Sequence, residues 1–239
     1  MKIQKKPDIS VFFPCYNEEA NVGALALKTA SVLKKIAGKW EVIAVNDSSK
    51  DRTAAVIKAL SKKDKRIRLE DRKVNQGYGA AVKSGFRAAR HEWIFFTDGD
   101  GQFDVEEMAK MVPLLSTNDL VVGYRIKRAD PLQRKLNAFA WGMLVKVLFW
   151  FWKSRDIDCA FKFVRRSIFD TYQLETTGAM ISTELLVKAH KNGFRITEIG
   201  VNHYPRRAGT QTGAKLAVIA RAFKELFMYA VKWYTQGFR

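Results

Sequence analysis

Asp98-Gly-Asp100 is the segment of this 239-residue chain whose residue types and spacing point most directly to chemistry. Its two carboxylates follow the apolar run Trp93-Ile-Phe-Phe96, and Gly99 and Gly101 let the backbone turn sharply and approach a ligand closely. Hard carboxylate oxygens suit Mg²⁺ or Mn²⁺, which one or two protein carboxylates can hold while water and substrate phosphate complete the shell. The chemistry expected of such an ion is neutralisation of a diphosphate as it leaves. A calcium EF-hand loop is excluded, because its fifth, sixth and twelfth positions would be Gln102, Phe103 and Ala109.

Asn75-Gln-Gly77-Tyr-Gly79 is a second candidate. It does not complete a dinucleotide fingerprint, since Val82 stands at the third glycine position. Gly77 and Gly79 instead predict a tight turn into a helix whose first amides face the site, an arrangement suited to an anion. His91, His190 and His203 lie too far apart for a metal-binding helix and have no Ser or Cys nucleophile beside them. They are expected to be structural, with His203 the one that could line the site. Direct displacement with a metal-bound leaving group needs no protein nucleophile.

The elements that must position these residues follow from alternation of β-rich runs with helical periodicity, which predicts a mostly parallel central sheet flanked by helices. Strands are expected at 9–13, 41–45, 67–70, 93–97 and 120–122, and helices near 20–36, 53–60, 79–89 and 105–115. In such sheets ligands bind outside the carboxyl ends of the strands. The segments Pro14-Cys-Tyr-Asn-Glu18, Asn46-Asp-Ser-Ser49 and Thr97-Asp-Gly-Asp100 all fall there.

Beyond Pro131 the character changes. Residues 136–152 carry only Lys146 as a charge and crowd together Trp141, Phe149, Trp150, Phe151 and Trp152. The run falls short of the roughly 20 apolar residues that span a bilayer and has Arg134, Lys135, Lys153 and Arg155 at its ends, so it predicts an interfacial or re-entrant helix. Residues 215–234 place Ile219, Phe223, Leu226, Phe227, Ala230, Trp233 and Tyr234 at helical spacing among basic residues, the pattern of a second interface helix.

Forty-two Lys and Arg against 24 Asp and Glu give a formal charge of +18, a field that attracts nucleotides, nucleic acids or anionic lipid. Cys15 and Cys159 are too few and too far apart for a disulfide framework and are expected to be buried thiols in a reducing compartment. The basic N-terminus runs straight into a strand without the apolar stretch of a secretory signal, which predicts a cytoplasmic chain. No linker composition divides the sequence.

Four ordered motifs, Val11-Phe-Phe-Pro-Cys-Tyr-Asn-Glu-Glu19, Val45-Asn-Asp-Ser-Ser-Lys-Asp-Arg-Thr53, Asn75-Gln-Gly-Tyr-Gly-Ala-Ala81 and Thr97-Asp-Gly-Asp-Gly-Gln-Phe-Asp104, resemble the family 2 glycosyltransferases. Within that family they resemble the dolichyl- or polyprenyl-phosphate hexose synthases, and the resemblance covers nearly the whole chain. It implies a GT-A fold in which Pro14, Tyr16, Glu18, Asp47 and Gly77 hold the nucleotide sugar. Asp98, Asp100 and Gln102 would hold Mg²⁺ or Mn²⁺ and the diphosphate. Asn46 and Ser48 depart from the pattern, which commonly has a second Asp and a Gly there. Gly123-Tyr-Arg125, Arg134, Asp158-Cys-Ala-Phe-Lys162 and Tyr204-Pro-Arg-Arg-Ala-Gly209 resemble the acceptor half.

The resemblance thus implies one catalytic domain, with a nucleotide-sugar and metal-binding half at 1–130 and an acceptor half with membrane-interface helices at 131–239. Arg125, Arg134, Arg206 and Arg207 would bind phosphates, and Asp158 and Asp100 would be catalytic. The activity implied is inverting transfer of a hexose from a GDP- or UDP-sugar to a polyprenyl phosphate, at the cytoplasmic membrane face. The partners implied are the donor, the lipid acceptor and the membrane surface, with a membrane subunit or a second copy left open and no nucleic acid. Two other readings compete with this one. A saccharide or protein acceptor would need Asp158 or Glu184 as a true base, and a nucleic-acid-binding module would explain the charge but not the carboxylates.

Overall fold

The first-half strands Ile9–Cys15, Trp40–Asp47 and Trp93–Thr97 are nearly continuous buried runs, as a sheet covered on both faces requires. In the computed structural model, which describes residues 5–126, 132–151, 154–206 and 216–235 and gives backbone alone at 132–135 and 216–220, seven strands form one sheet. They are β1 (Ile9–Cys15), β2 (Trp40–Asp47), β3 (Ile67–Arg72), β4 (Trp93–Thr97), β5 (Leu120–Arg125), β6 (Phe161–Arg165) and β7 (Ile196–Val201). Their spatial order is β3-β2-β1-β4-β6-β5-β7. The helices are α1 (Val22–Ile36), α2 (Thr53–Lys63), α3 (Tyr78–Ala88), α4 (Met108–Met111), α5 (Leu132–Phe149), α6 (Ile168–Thr171), α7 (Ile181–Lys191) and α8 (Leu216–Thr235).

Neighbours β1–β2, β2–β3 and β1–β4 are parallel, so β1, β2 and β4 deliver their following loops to one edge. Strand β6 runs antiparallel to both β4 and β5, pairing Thr97 with Phe161 and Val122 with Lys162. A reversed strand presents its beginning where its neighbours present their ends. The loop before β6, residues 154–160, therefore reaches the same edge as Asp98. Strand β7 lies parallel to β5 and sends residues 202–206 there as well.

The core beneath this edge is aromatic: Phe12, Phe86 and Phe96 pack together, with ring centroids 5.0 to 5.6 Å apart. Phe95 touches Phe161 and Phe163 on the neighbouring strand. Each such ring contributes on the order of 1.5–3 kcal/mol by leaving water. Helix α1 buries Val22, Leu25, Ala26, Thr29, Ala30 and Leu33, a helical stripe, and places Lys34 and Lys35 in its last turn, where the helix dipole favours cations. Gly85 of α3 is required by packing, since a Cβ there would lie 2.2 Å from the Phe12 ring.

Three expectations change. The helix expected at 105–115 is broken into a 3₁₀ turn (Val105–Glu107), α4 and a second 3₁₀ turn (Val112–Ser116). Pro113 accounts for this: it has no N–H to give, and its ring would strike a carbonyl one turn back in a continuous helix. The apolar run expected to extend to 152 stops being helical at Phe149, because Trp150 takes the left-handed conformation, with φ of 51°. No helix among the described residues is long and apolar enough to cross a membrane. Finally, α8 has two apolar faces rather than one: Leu226, Tyr229 and Ala230 are buried, whereas Phe223, Phe227, Val231 and Tyr234 are exposed.

Candidate active site

The turn after β4 is shaped by its glycines. Gly99 passes so close to β1 that a Cβ would lie 2.7 Å from the Pro14 carbonyl oxygen and 2.9 Å from Cys15 Sγ, and Gly101 takes φ of 70°. This turn aims Asp98, Asp100 and Gln102 along the sheet edge. Tyr78, the first residue of α3, donates its hydroxyl to Asp98 Oδ1 at 2.9 Å. Arg206, from the loop after β7, pairs with Glu18 and lies 3.6 Å from Asp100 Oδ2. Gln102 is almost wholly buried and donates Nε2 to the Tyr204 carbonyl at 2.9 Å, while the Tyr204 amide donates to the Gln102 carbonyl at 2.8 Å. The acidic turn and the 203–206 loop are thus fastened together.

Burial, and after it the negative charge of Asp100, push the Asp98 carboxyl up to about 7, against the pull of the Tyr78 hydroxyl, Arg125 and Lys162. Burial also raises Glu18, although Asn21 and Arg206 draw it down. Two crowded carboxylates that resist joint ionisation are what a divalent cation relieves. Among the described residues no three His, Cys, Asp or Glu side chains form a complete cage. An ion here would take oxygens from Asp98, Asp100 and Gln102 and the remainder from water or phosphate, the usual condition of Mg²⁺. The residues fit that ion.

Beside this group, loops 16–21 and 46–53 are stitched to each other. Asn17 accepts from the Lys50 amide at 2.8 Å, and the Glu18 amide donates to Thr53 Oγ1 at 2.9 Å. Pro14 and Tyr16 stand at the end of β1, with Tyr16 partly exposed. Asp47 is buried: it accepts from the amides of Gln76 and Gly77 at 3.4 and 3.2 Å and pairs with Arg72 at 2.9 Å. The anion at the Gly77 turn is therefore Asp47 itself. Asn46 donates to Asp71 at 2.8 Å, so it joins β2 to β3.

On the β6 side of the edge, Asp158 is exposed at a cavity of about 230 Å³ that it lines with Phe139, Trp141, Lys146, Arg155 and Asp156. One wall is the apolar face of α5 and the other is the loop before β6. Arg125, expected to bind phosphate, gives its guanidinium to Asp156 in a bidentate pair at 2.6 and 2.7 Å. Glu184 is fully buried, accepts from the amides of Glu175 and Thr176, each at 2.8 Å, and pairs with Lys188 at 2.9 Å. It is a structural anchor and is not placed to act as a base. The Arg134 side chain and Arg207 lie outside the described residues, as do Trp152 and Lys153.

The edge thus brings together Glu18, Asp98, Asp100, Gln102 and Arg206, sets Asp47 and Gly77 to one side and Asp158 with Arg125 to the other. Sequence reasoning missed Tyr78 and Lys162. Lys162 carries a readable signal, because alternation along β6 puts it on the same face as Val164. Both cysteines are buried thiols: burial pushes Cys159 up to about 12 and also raises Cys15. His203 meets the Phe103 ring edge-on, with centroids 5.1 Å apart, and is part of the bridge that fastens the 203–206 loop.

The family model for glycosyl transferase family 2 matches residues 10–173. The chain belongs to this family. Dodecaprenyl-phosphate galacturonate synthase of Rhizobium johnstonii is 31% identical over 210 residues, 84% of this chain and 60% of that protein. Undecaprenyl-phosphate 4-deoxy-4-formamido-L-arabinose transferase of Pectobacterium atrosepticum is 31% identical over 220 residues, 89% and 64%. The dolichyl-phosphate beta-glucosyltransferase of Saccharomyces cerevisiae is 26% identical over 242 residues, 90% and 71%. The chain spans 60 to 64% of the length of the first two relatives.

Among solved structures, glucosyl-3-phosphoglycerate synthase from Mycobacterium tuberculosis in complex with UDP superposes with a TM-score of 0.73 at 15% identity, covering 94% of this chain and 80% of that one. The same enzyme with Mn²⁺, UDP and phosphoglyceric acid gives 0.69 at 18% identity, covering 94% and 78%. Mannosyl-3-phosphoglycerate synthase from Rubrobacter xylanophilus gives 0.70 at 15%, covering 97% and 75%. The fold is of the GT-A type, a mostly parallel sheet flanked by helices. Family membership sets aside the non-catalytic nucleic-acid module.

Proposed function

We propose that the chain transfers a hexose from a GDP- or UDP-sugar to a polyprenyl phosphate, with inversion at the sugar carbon, while resting on the cytoplasmic face of a membrane. The observation that carries this reading is that the Asp98-Gly-Asp100 turn and the loop of Asp158 reach one sheet edge, and that this loop walls a cavity with the apolar side of α5. The polyprenyl-phosphate activities named for the relatives support the acceptor class. The metal and UDP complexes of the structural neighbours support the donor class.

In this reading residues 1–130 hold the donor and residues 131–239 hold the acceptor. Asp98, Asp100 and Gln102 hold Mg²⁺ or Mn²⁺, which supplies charge neutralisation for the departing diphosphate. Glu18, Tyr16 and Pro14 line the nucleoside side, and Asp47 keeps the Gly77 turn in place from below. A phosphate monoester has a second pKa of about 6, so the lipid phosphate arrives largely ionised. One of its oxygens attacks the sugar carbon as the bond from that carbon to the diphosphate oxygen breaks. No proton has to be removed from the nucleophile, and the role of Asp158 is to orient it. Arg206 begins on Glu18 and Asp100 and is the cation best placed to move onto phosphate when the donor arrives.

The exposed stripes Leu136, Phe139, Met143, Val147 and Trp150 on and just after α5, and Phe223, Phe227, Val231 and Tyr234 on α8, support contact with lipid, aided by the charge of +18. The test is a screen of UDP- and GDP-hexoses with Mg²⁺ or Mn²⁺ against polyprenyl phosphate in mixed micelles. Labelled sugar should partition into the organic phase. Absence of any lipid product, with glycosylation of a soluble saccharide instead, would end this reading.

A further inference from the structure

A lysine in the middle of a sheet is expensive to bury unless its ammonium finds partners. Lys162 is wholly buried in β6, between β4 and β5, paired with Phe96 on one side and Val122 on the other. Its Nζ donates to the carbonyl of Ile157 at 3.1 Å and to the carbonyl of Cys159, and it lies 5.4 Å from the centre of the Phe96 ring. The two accepting carbonyls bracket Asp158. The ammonium also bears on Asp98 and Asp158 electrostatically.

We propose that Lys162 is a positioning residue for the transfer: from below the sheet edge it pins the peptides on either side of Asp158 to the strand beside β4, and so fixes the distance between acceptor and donor. This rests on the reading of the edge as a transferase site. The 154–160 loop is tied at its beginning, where Ser154 Oγ and the Arg155 amide donate to Glu198 at 2.8 and 2.9 Å, and at Asp156, which takes Arg125, while Ile157, Cys159 and Ala160 are buried in the core. Within the loop's own turn the Cys159 amide donates to the Asp156 carbonyl at 3.2 Å. Arg125 of β5 ties the start of that turn to the sheet, and Lys162 ties the carbonyls on either side of Asp158 to β6. In-line attack needs reacting atoms within roughly 3–3.5 Å, and a displacement of about 1 Å lowers turnover on the order of 100-fold.

The experiment compares wild type with Lys162→Met, which keeps length and apolar bulk but removes the donors, and with Lys162→Gln, which keeps a shorter donor. Hydrogen exchange of the peptide covering 156–160 is read together with turnover and with Mn²⁺-dependent binding of UDP and GDP. The expected result for K162M is a folded protein with nucleotide binding within about two-fold of wild type, loop exchange at least about ten-fold faster, and turnover down about 100-fold through kcat. K162Q is expected to fall between the two in both exchange and turnover, and it carries the test alone if K162M does not fold. Unchanged loop exchange in a folded variant, or turnover within about three-fold of wild type, overturns the proposal. If wild type itself transfers nothing to lipid phosphate, the functional reading fails while the exchange result still reports whether Lys162 holds the loop.

Discussion

Around Asp98 the polar groups are engaged with one another, Tyr78 on Asp98 and Arg206 on Glu18 and Asp100, whereas along α5 and α8 large apolar side chains such as Trp150 and Phe227 stand 77% and 72% exposed. The first region is built from the ends of parallel strands, each loop stitched to the next by short hydrogen bonds. The second depends on one reversed strand and on two helices that meet through Trp141 against Phe223 and Phe149 against Tyr229, with Phe139 and Phe227 largely exposed. A charged ligand needs donors and acceptors fixed in advance, while a lipid chain needs apolar area and tolerates imprecision. In the proposed function, only Asp158 and its loop have to meet the stricter demand on the acceptor side.

The largest expected effect comes from breaking the donor region: Asp98→Ala or Asp100→Ala should lower turnover by about 10³-fold, measured with saturating Mn²⁺ and donor. Their melting temperature should hold or rise, because a crowded carboxylate has gone. Asp158→Asn should cost about 10²-fold in turnover and leave nucleotide affinity unchanged, a split that locates the residue on the acceptor side.

Proton competition at Asp98 should come next. Its folded carboxyl sits at about 7 against an ordinary value of 3.8, so the folded protein binds this proton more tightly than the unfolded chain. This group's contribution to stability is therefore present at the acid end and is lost as pH climbs from about 4 to 7. Divalent binding must expel the same proton, and affinity should fall up to about ten-fold per unit below pH 7, read by calorimetry in buffers of different ionisation heat. Gly85→Ala, which meets the Phe12 ring under the donor edge, should destabilise by about 1–3 kcal/mol, seen as a lower urea midpoint. The smallest change in chemistry belongs to the bare faces. Trp150→Ser with Phe227→Ser should weaken binding to anionic vesicles several-fold while turnover on a short-chain acceptor in detergent stays within about two-fold.

The same contrast explains what the sequence makes legible. Strands β1, β2 and β4 read clearly because each is an apolar run ending in a polar cluster, and parallel pairing then forces those clusters together. Strand β6 is not among the expected strands, since Lys162 interrupts its apolar face and its partners are distant in sequence. The pairing of Arg125 with Asp156 and the burial of Glu184 are tertiary facts that no local pattern carries. Nor does periodicity distinguish the apolar face of α8 that packs inward from the one that stays in solvent.

The most direct test of the account measures transfer of labelled hexose from its nucleotide donor, with Mn²⁺, to polyprenyl phosphate and to a soluble saccharide in parallel, for wild type and Asp100→Asn. Lipid-linked sugar in wild type alone, lost on removal of the metal, is the result expected. Equal lipid product from Asp100→Asn, or product that forms undiminished without a divalent ion, would contradict it.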